Sequence, residues 1–545
     1  MGVLVTDTLL AMSLPSVIYL WLHPLAFKGM SSVLWMPEGN PYHMGDIWGT
    51  LFMVQRSIFG ESGCDTLLFS WPQGQNICGH FPNPLVTDFI AVFVRFWGLP
   101  LGYNLAALTF VATTGVACWG TVRLFGGRRM GALVAAAMVG LLPMLHLEIF
   151  AGRPVTAWWA PVIAASALGV SSLDSWRRFA LLIPGLALMV VAMYVYPYGL
   201  AMFAPWVVMA TLVAIARGPD RLGVIARAIV ALAVSGGLVW WVATKTYGSV
   251  VAELTFGDPL QDRESHWGLL SPPGRPWLNP SIILGEIVLV AMVMRRAPMH
   301  RVLPIVLTGV LLVLLGLGPN PMGDPGHEAP NPIAPFTWMM RHFHLMRGCA
   351  RPERYVLAAA LLVPMTVGLS LGSPARWVRG VGYLALMAGM VWLKIYTTNL
   401  GPPALLAWPP VVYADVLDGG VVLELPLEFT HDQQSHMMGQ ALHIAPRIND
   451  NYPIANRWIT SIAPSWSVLF ASRDLQSGRP IPPSVFDKIA AGDREHAEGL
   501  EWVMIHRTQL PKDKPDMFEP LLRALSAHEV LRSKDLLIYR VESPD

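Results

Sequence analysis

Clusters of arginine recur at every second gap between long apolar runs, and this alternation constrains the fold more than any other feature of the chain. The clusters are Arg123-Leu-Phe-Gly-Gly-Arg128-Arg129, Arg177-Arg178, the stretch from Arg217 through Arg221 to Arg227, Arg295-Arg296 with Arg301, and Arg376 with Arg379. The intervening gaps hold acids, histidines, prolines and tryptophans instead. Basic loops confined to one side are the positive-inside pattern of a chain threaded repeatedly through a membrane. Composition agrees: 54% of the 545 residues are hydrophobic and 14% are charged, whereas soluble domains carry about 25% charged residues. The 21 tryptophans suit headgroup-level anchoring. A net charge of +2 with no basic run argues against a nucleic-acid partner and leaves membrane lipids as the surroundings.

A hydrocarbon core of about 30 Å needs roughly 20 apolar residues per helix. Spans are predicted near 7–26, 101–122, 130–149, 155–172, 179–195, 198–216, 224–243, 280–294, 302–318, 354–371 and 380–396, about eleven in all. The N-terminus has neither a basic n-region nor a small-residue cleavage site, so the first run reads as a retained span. With that end inside, every arginine cluster lies inside and the C-terminus lies outside. Long outer segments then cover 27–100, 244–279 and 319–353. Residues 47–56 and 84–97 read as amphipathic helices along the interface, and Tyr196-Pro197-Tyr198-Gly199 as a tight outer turn.

After about residue 398 charges become frequent and no span-length apolar run remains. Strands are expected at 421–425, 502–505 and 536–541. A helix is expected over 515–529, with Phe518, Leu521, Leu522 and Leu525 on one face. The predicted organisation is a transmembrane domain over 1–397 and an extracytoplasmic α/β domain over 398–545. The latter shows neither a phosphate-binding glycine loop nor metal-spaced Cys and His.

Chemistry is sought on the outer side. In Tyr42-His43-Met44-Gly45-Asp46, an acid beside a histidine leads into the first interfacial helix, where it can serve as a general base, a metal ligand or a helix cap. His146, Glu148 and Arg153 crowd a span boundary, where ionisable groups are costly near lipid. The alternative reading there is headgroup snorkelling with a Glu148–Arg153 ion pair. Arg347, Arg351 and Arg354 lie outside against the basic-inside bias, and the arginine fork suits phosphate. Ordinary headgroup contact or pairing with Glu353 is the alternative. Asp258, Asp262, Glu264 and His266 read as a solvated loop, Glu286 as a buried acid in a span, and His431, Asp432 and His436 as surface groups. Cys64 and Cys78 share one outer loop and are expected to bridge if that side is oxidising, a closure worth about 3 kcal/mol in the chain-entropy model. No midplane charge relay and no repeated halves mark a secondary transporter.

The chain resembles the GT-C superfamily of integral-membrane glycosyltransferases, in particular a bacterial branch related to mannosyl- and arabinosyl-type transferases. The resemblance rests on Gly45-Asp46-Ile47-Trp48, Trp71-Pro72-Gln73-Gly74, Gly152-Arg153-Pro154 before Trp158-Trp159-Ala160-Pro161, Met346-Arg347-Gly-Cys-Ala-Arg351-Pro-Glu-Arg354-Tyr355, and Leu423-Glu424-Leu425-Pro426, with their order along nearly the whole chain. It implies a bacterial inner-membrane enzyme taking a sugar from a polyprenyl-phosphate carrier on the outer face. Asp46 would be the general base and Arg347, Arg351 and Arg354 would hold the carrier phosphate. His43, His146, Glu148 and Arg153 would shape the acceptor side or assist the phosphate. The first loop carries one acid where better-known members carry an adjacent pair, so a divalent metal is left open. The competing readings are a membrane scaffold or complex subunit on the same fold, and a lipid or saccharide flippase.

Overall fold

A computed structural model describes residues 2–22, 32–35, 50, 53–54, 56–58, 65–66, 75–76, 84–150, 153–217, 220–246, 299–318, 331, 333–342, 352–371, 380, 404–407, 421–425, 471–472, 475, 480–490, 500–507, 510, 516–533 and 536–542. Its contacts divide the chain into two compact units. One comprises Met1–His43 and Val92–Ala407, the other Met44–Ala91 and Trp408–Asp545.

The first unit is helical. In chain order it begins with α1 (Gly2–Leu22) and β1 (Ser32–Trp35). Helix α2 (Pro84–Trp97) enters it at residue 92, and α3 (Leu99–Leu124), α4 (Arg129–Val139) and α5 (Pro143–Phe150) follow. After a 3-10 turn at Pro154–Ala157 come α6 (Ala160–Ser172), α7 (Trp176–Phe179), α8 (Leu182–Val195), α9 (Pro197–Arg217) and α10 (Arg221–Thr246). Then come α11 (Met299–Gly316), α12 (Pro335–His342), α13 (Pro352–Leu371) and β4 (Ala404–Ala407). β4 pairs antiparallel with β1, Ser32 opposite Ala407.

Among the described residues seven helical segments are long and apolar enough to cross a membrane: Leu4–Leu22, Leu101–Leu124, Pro154–Ser172, Trp176–Val195, Pro197–Ala216, Arg221–Lys245 and Arg354–Leu371. All seven fall in the first unit. The chain is therefore a multi-pass helical membrane protein. Two further expected spans are shorter helices, Arg129–Val139 and Val302–Gly316. The expected spans at 280–294 and 380–396 lie outside the described residues.

The expected continuous span at 130–149 is interrupted. Helix α4 ends at Val139, and the N–H groups of Gly140, Leu141 and Leu142 donate three residues back, to Ala137, Met138 and Val139. Pro143 has no N–H with which to extend the α-helical ladder, so the chain tightens for a turn and restarts as α5.

Helix α3 is central. It packs against α1, α4, α6 and α13, while α13 reaches α11, α11 reaches α9, and α9 packs on α6 and α10. The α4–α13 crossing is backbone on backbone. A Cβ on Gly131 would strike the Gly368 carbonyl, and one on Gly368 would come 2.6 Å from the Gly131 carbonyl oxygen. Small residues permit such approach where lipid supplies no hydrophobic drive for helix association. The corner between α2 and α3 also needs glycine, since Gly98 has φ of 77°.

In the second unit, β5 (Val421–Leu425), β6 (Leu500–His506), β8 (Leu536–Val541) and β7 (Ala527–Arg532) form a sheet in that spatial order. β5 runs parallel to β6; the other two pairings are antiparallel. Leu423, Val503, Ile505 and Leu537 face a core shared with Ile489 of α14 (Pro483–Ala490) and with Leu521 and Leu522 of α15 (Glu519–Ala524). Val422, Trp502, Met504 and Ile538 are buried on the opposite face. Phe518, Leu521, Leu522 and Leu525 are all buried, as their spacing requires. The expected helix over 515–529, however, stops at Ala524, because Ser526 adopts φ of 49° and the chain leaves as β7. In the same unit, β2 (Asp65–Thr66) pairs antiparallel with β3 (Gln75–Asn76). Ser57 donates to Asp88 at 2.7 Å.

Candidate functional site

The interruption after α4 sets up the polar cluster that the sequence singles out. Ending a helix leaves carbonyls without amide partners, and in a membrane protein they need another donor. His146 meets that need: its Nε2 lies 3.0 Å from the Gly140 carbonyl oxygen, which can only accept, so Nε2 carries the proton. The other side of the ring meets Tyr19 of α1 edge-on, 4.9 Å between centroids.

Glu148 stands two residues further along α5, about 200° around the helix, and takes different partners. Arg153 Nη2 donates to its Oε1 at 3.0 Å, and the Arg153 backbone N–H donates to the Glu148 carbonyl at 2.8 Å. The Thr156 hydroxyl lies 2.5 Å from Oε2 and 2.7 Å from the Arg153 carbonyl oxygen. With one proton, it can donate to only one of them at a time. Each carboxylate oxygen of Glu148 thus has a donor within reach, and acid, guanidinium and hydroxyl close the turn between α5 and α6. All four side chains of this region, His146, Glu148, Arg153 and Thr156, are buried.

The turn meets α3 in its middle. Thr114 donates to the Ala157 carbonyl at 3.3 Å and accepts from the Trp159 backbone N–H at 3.2 Å. Trp159 Nε1 donates to the Thr156 carbonyl at 2.6 Å, and Trp158 stacks on Phe110 at 4.7 Å. Thr114 is about 15 Å of helix from Leu124, at the arginine-rich end. The turn that carries the Glu148–Arg153 pair thus packs beside the middle of α3, where irregular backbone persists when buried in protein.

The structure brings Glu148 and Arg153 together and gives His146 other partners. Arg354 stands in the first turn of α13, at the positive end of the helix dipole. Its neighbour Tyr355 is fully buried and meets Phe336 of α12 edge-on at 5.9 Å. His342 donates from Nδ1 to the Trp338 carbonyl at 2.7 Å and stacks on that indole. His43, Asp46, Arg347 and Arg351 lie outside the described residues, as do Cys64, Cys78, Glu286 and the acids of 258–266. Among the described residues no group of three or more His, Cys, Asp and Glu side chains could hold a metal ion.

Sequence reading missed Thr156, Thr114 and the Asp7–Arg129 pair. Thr156 follows Glu148 by eight residues, but the helix ends at Phe150 and a 3-10 turn intervenes, so no single repeat relates the two. Asp7 of α1 accepts from Arg129 Nε at 2.7 Å and Nη2 at 2.6 Å at the start of α4. A lone acid in an apolar run does signal a partner in principle, but not which arginine.

The archaeal oligosaccharyltransferase AglB from Archaeoglobus fulgidus, in complex with an inhibitory peptide and a dolichol-phosphate, overlaps this chain at TM-score 0.53. Identity is 11%, and the overlap covers 98% of this chain and 74% of AglB. The apo form of the Archaeoglobus fulgidus oligosaccharyltransferase gives the same TM-score and identity, over 92% and 69%. The chain shares the overall fold of these oligosaccharyltransferase structures. ArnT from Cupriavidus metallidurans in the apo state is a looser likeness, at TM-score 0.41 and 14% identity over 96% of this chain and 97% of that one. No family model and no curated protein sequence matches the chain. At these identities the likeness describes architecture, and the chemistry has to be argued from the residues.

Proposed function

We propose that the chain is a GT-C glycosyltransferase of the bacterial cytoplasmic membrane. In this reading it moves a sugar from a polyprenyl-phosphate carrier to an acceptor on the extracytoplasmic face, the side that also holds the C-terminal domain. One observation carries the proposal: the overlap runs through 98% of the chain with an oligosaccharyltransferase whose structure contains a dolichol-phosphate. The arginine alternation supports the sidedness, since it leaves Asp46, Arg347, Arg351 and Arg354 on the non-basic side.

In this mechanism the Asp46 carboxylate takes the proton of an acceptor hydroxyl as its oxygen bonds to the sugar's anomeric carbon. The bond from that carbon to the carrier phosphate breaks, and the phosphate leaves with the electron pair. Arg347, Arg351 and Arg354 neutralise that phosphate. His43 stands beside the base. His146, Glu148 and Arg153 shape the wall, since His146 Nε2, the Glu148 carboxylate and Arg153 Nη2 help hold the α4–α6 connection. The described residues offer no ligand set for a divalent cation, so no step is routed through one.

The test is transfer from a radiolabelled polyprenyl-phosphate sugar by the purified protein in proteoliposomes. Asp46→Asn keeps size and any capping while removing the base, and the rate is expected to fall about 100- to 10,000-fold. A folded Asp46→Asn protein that transfers at the normal rate would sink the mechanism.

A further inference from the structure

A proline inside a membrane helix is tolerated with a kink, because neighbouring groups take up the carbonyl it frees. Pro143 alone does not require the run from Arg129 to Phe150 to part into α4 and α5. Helix α1 supplies further contacts at the parting. It carries an interior proline of its own, Pro15, and Gly140 sits on it. A Cβ on Gly140 would come 2.5 Å from the Pro15 carbonyl oxygen and 2.9 Å from the Pro15 Cα, so only glycine permits the approach. One turn further along α1, Tyr19 meets the His146 ring edge-on at 4.9 Å. His146 Nε2 in turn lies 3.0 Å from the Gly140 carbonyl oxygen. The contacts close a circuit from Pro15 to Gly140, to His146, to Tyr19. Its two ends are four residues apart on α1 and therefore share one face of that helix. Tyr19 and His146 are both buried, so bulk water does not compete for the contact between them.

We propose that the Pro15–Tyr19 segment of α1 is a clasp that holds the interruption between α4 and α5, with Tyr19 a positioning residue acting through His146. Tyr19 keeps the imidazole turned so that Nε2 faces the Gly140 carbonyl. The clasp thereby fixes the direction in which α5 leaves α4. Glu148 and Arg153 lie downstream of that direction, so the clasp also sets where their pair stands. The inference rests on packing and stands apart from the transfer reaction proposed above.

Hydrogen–deuterium exchange on the full-length protein in detergent micelles reads the clasp without recourse to activity. Tyr19→Leu keeps an apolar side chain and removes the ring edge. Amides at 140–146 are expected to exchange about 2- to 10-fold faster, the range that an aromatic edge contact commands. Amides at 185–195 in α8, which does not pack on α1, should hold their wild-type rates. Tyr19→Phe retains the ring and should restore wild-type exchange. His146→Leu should accelerate the same amides, and adding Tyr19→Leu to it should bring little more, because the two act through one contact. His146→Leu carries the same expectation alone should Tyr19→Leu not fold. Unchanged or slower exchange at 140–146 in either folded variant overturns the proposal. So does an equal acceleration at 185–195, which would mean general loosening, and so do fully additive effects in the double variant. Failure of Tyr19→Phe to restore the rates also overturns the role given to the ring.

Discussion

Glu148 and Arg153 in the membrane unit and Glu529 and Arg532 in the C-terminal sheet make the same bond in different solvents. The sheet pair is the tighter by distance, at 2.5 and 2.7 Å against 3.0 Å. Distance is the wrong measure of importance. The side chains of Glu529 and Arg532 are 32% and 61% exposed, those of Glu148 and Arg153 6% and 10%. In water an ion pair exchanges one set of good contacts for another and is screened by salt. In a dry interior both ions have lost hydration, and each depends on the other for its charge to be tolerated. Arg129 and Asp7 stand between these limits, at 50% and 6%.

That ordering can be broken by substitution. Arg153→Ala leaves a buried carboxylate uncompensated and is expected to cost about 3–5 kcal/mol, read as a lowered unfolding midpoint in a detergent titration. The double substitution Glu148→Gln with Arg153→Met should recover most of that loss, since it removes both charges. A small effect of Arg153→Ala would mean that water reaches the pair. Arg129→Gln should cost less, about 1.5–3 kcal/mol, the range for a hydrogen bond to a charged group. The same titration measures it, and a cost equal to that of Arg153→Ala would erase the distinction.

Glu529→Gln should leave the unfolding midpoint unchanged within scatter at neutral pH and physiological salt. The hydrogen bond from Arg532, followed by its charge, holds the Glu529 carboxyl below the usual carboxylate range. Because the folded value is the depressed one, whatever Glu529 contributes is present above the unfolded value of about 4.3 and fades as pH falls through the folded value. Any low-salt difference between wild type and Glu529→Gln should therefore vanish on acidification. A difference that grows on acidification would contradict this assignment.

The long apolar runs and the strands at 421–425, 502–505 and 536–541 are legible in the sequence because their periodicity and length are local properties. The Glu148–Arg153 pair is legible as an alternative for the same reason, its members being five residues apart. Its meaning is not, because Thr156 and Thr114 complete the region through a turn and another helix. The break at Gly140–Leu142 hides inside a hydrophobic run, where hydropathy counts Pro143 as one more mild residue and backbone geometry counts it as a missing donor. The helix read over 515–529 fails for a similar reason: its apolar face is real, but one backbone angle at Ser526 ends it. The Asp7–Arg129 partnership depends on packing between α1 and α4, which no pattern within either run encodes.

The interruption after α4 also bears on how the protein is made. A translocon judges each emerging segment by its hydrophobicity, and Arg129–Val139, at 11 residues, is about half the length that partitions into lipid unaided. The stretch that follows adds a histidine and a glutamate to the cost of entry. This part of the chain is therefore a poor independent passenger and needs a surface already waiting in the bilayer. That surface is α1 and α3, which precede it in synthesis and against which it packs. Translation supplies α1 and α3 before α4, and its other neighbour α13 only later, so moving α1 or α3 behind α4 should damage membrane insertion before it damages the finished fold.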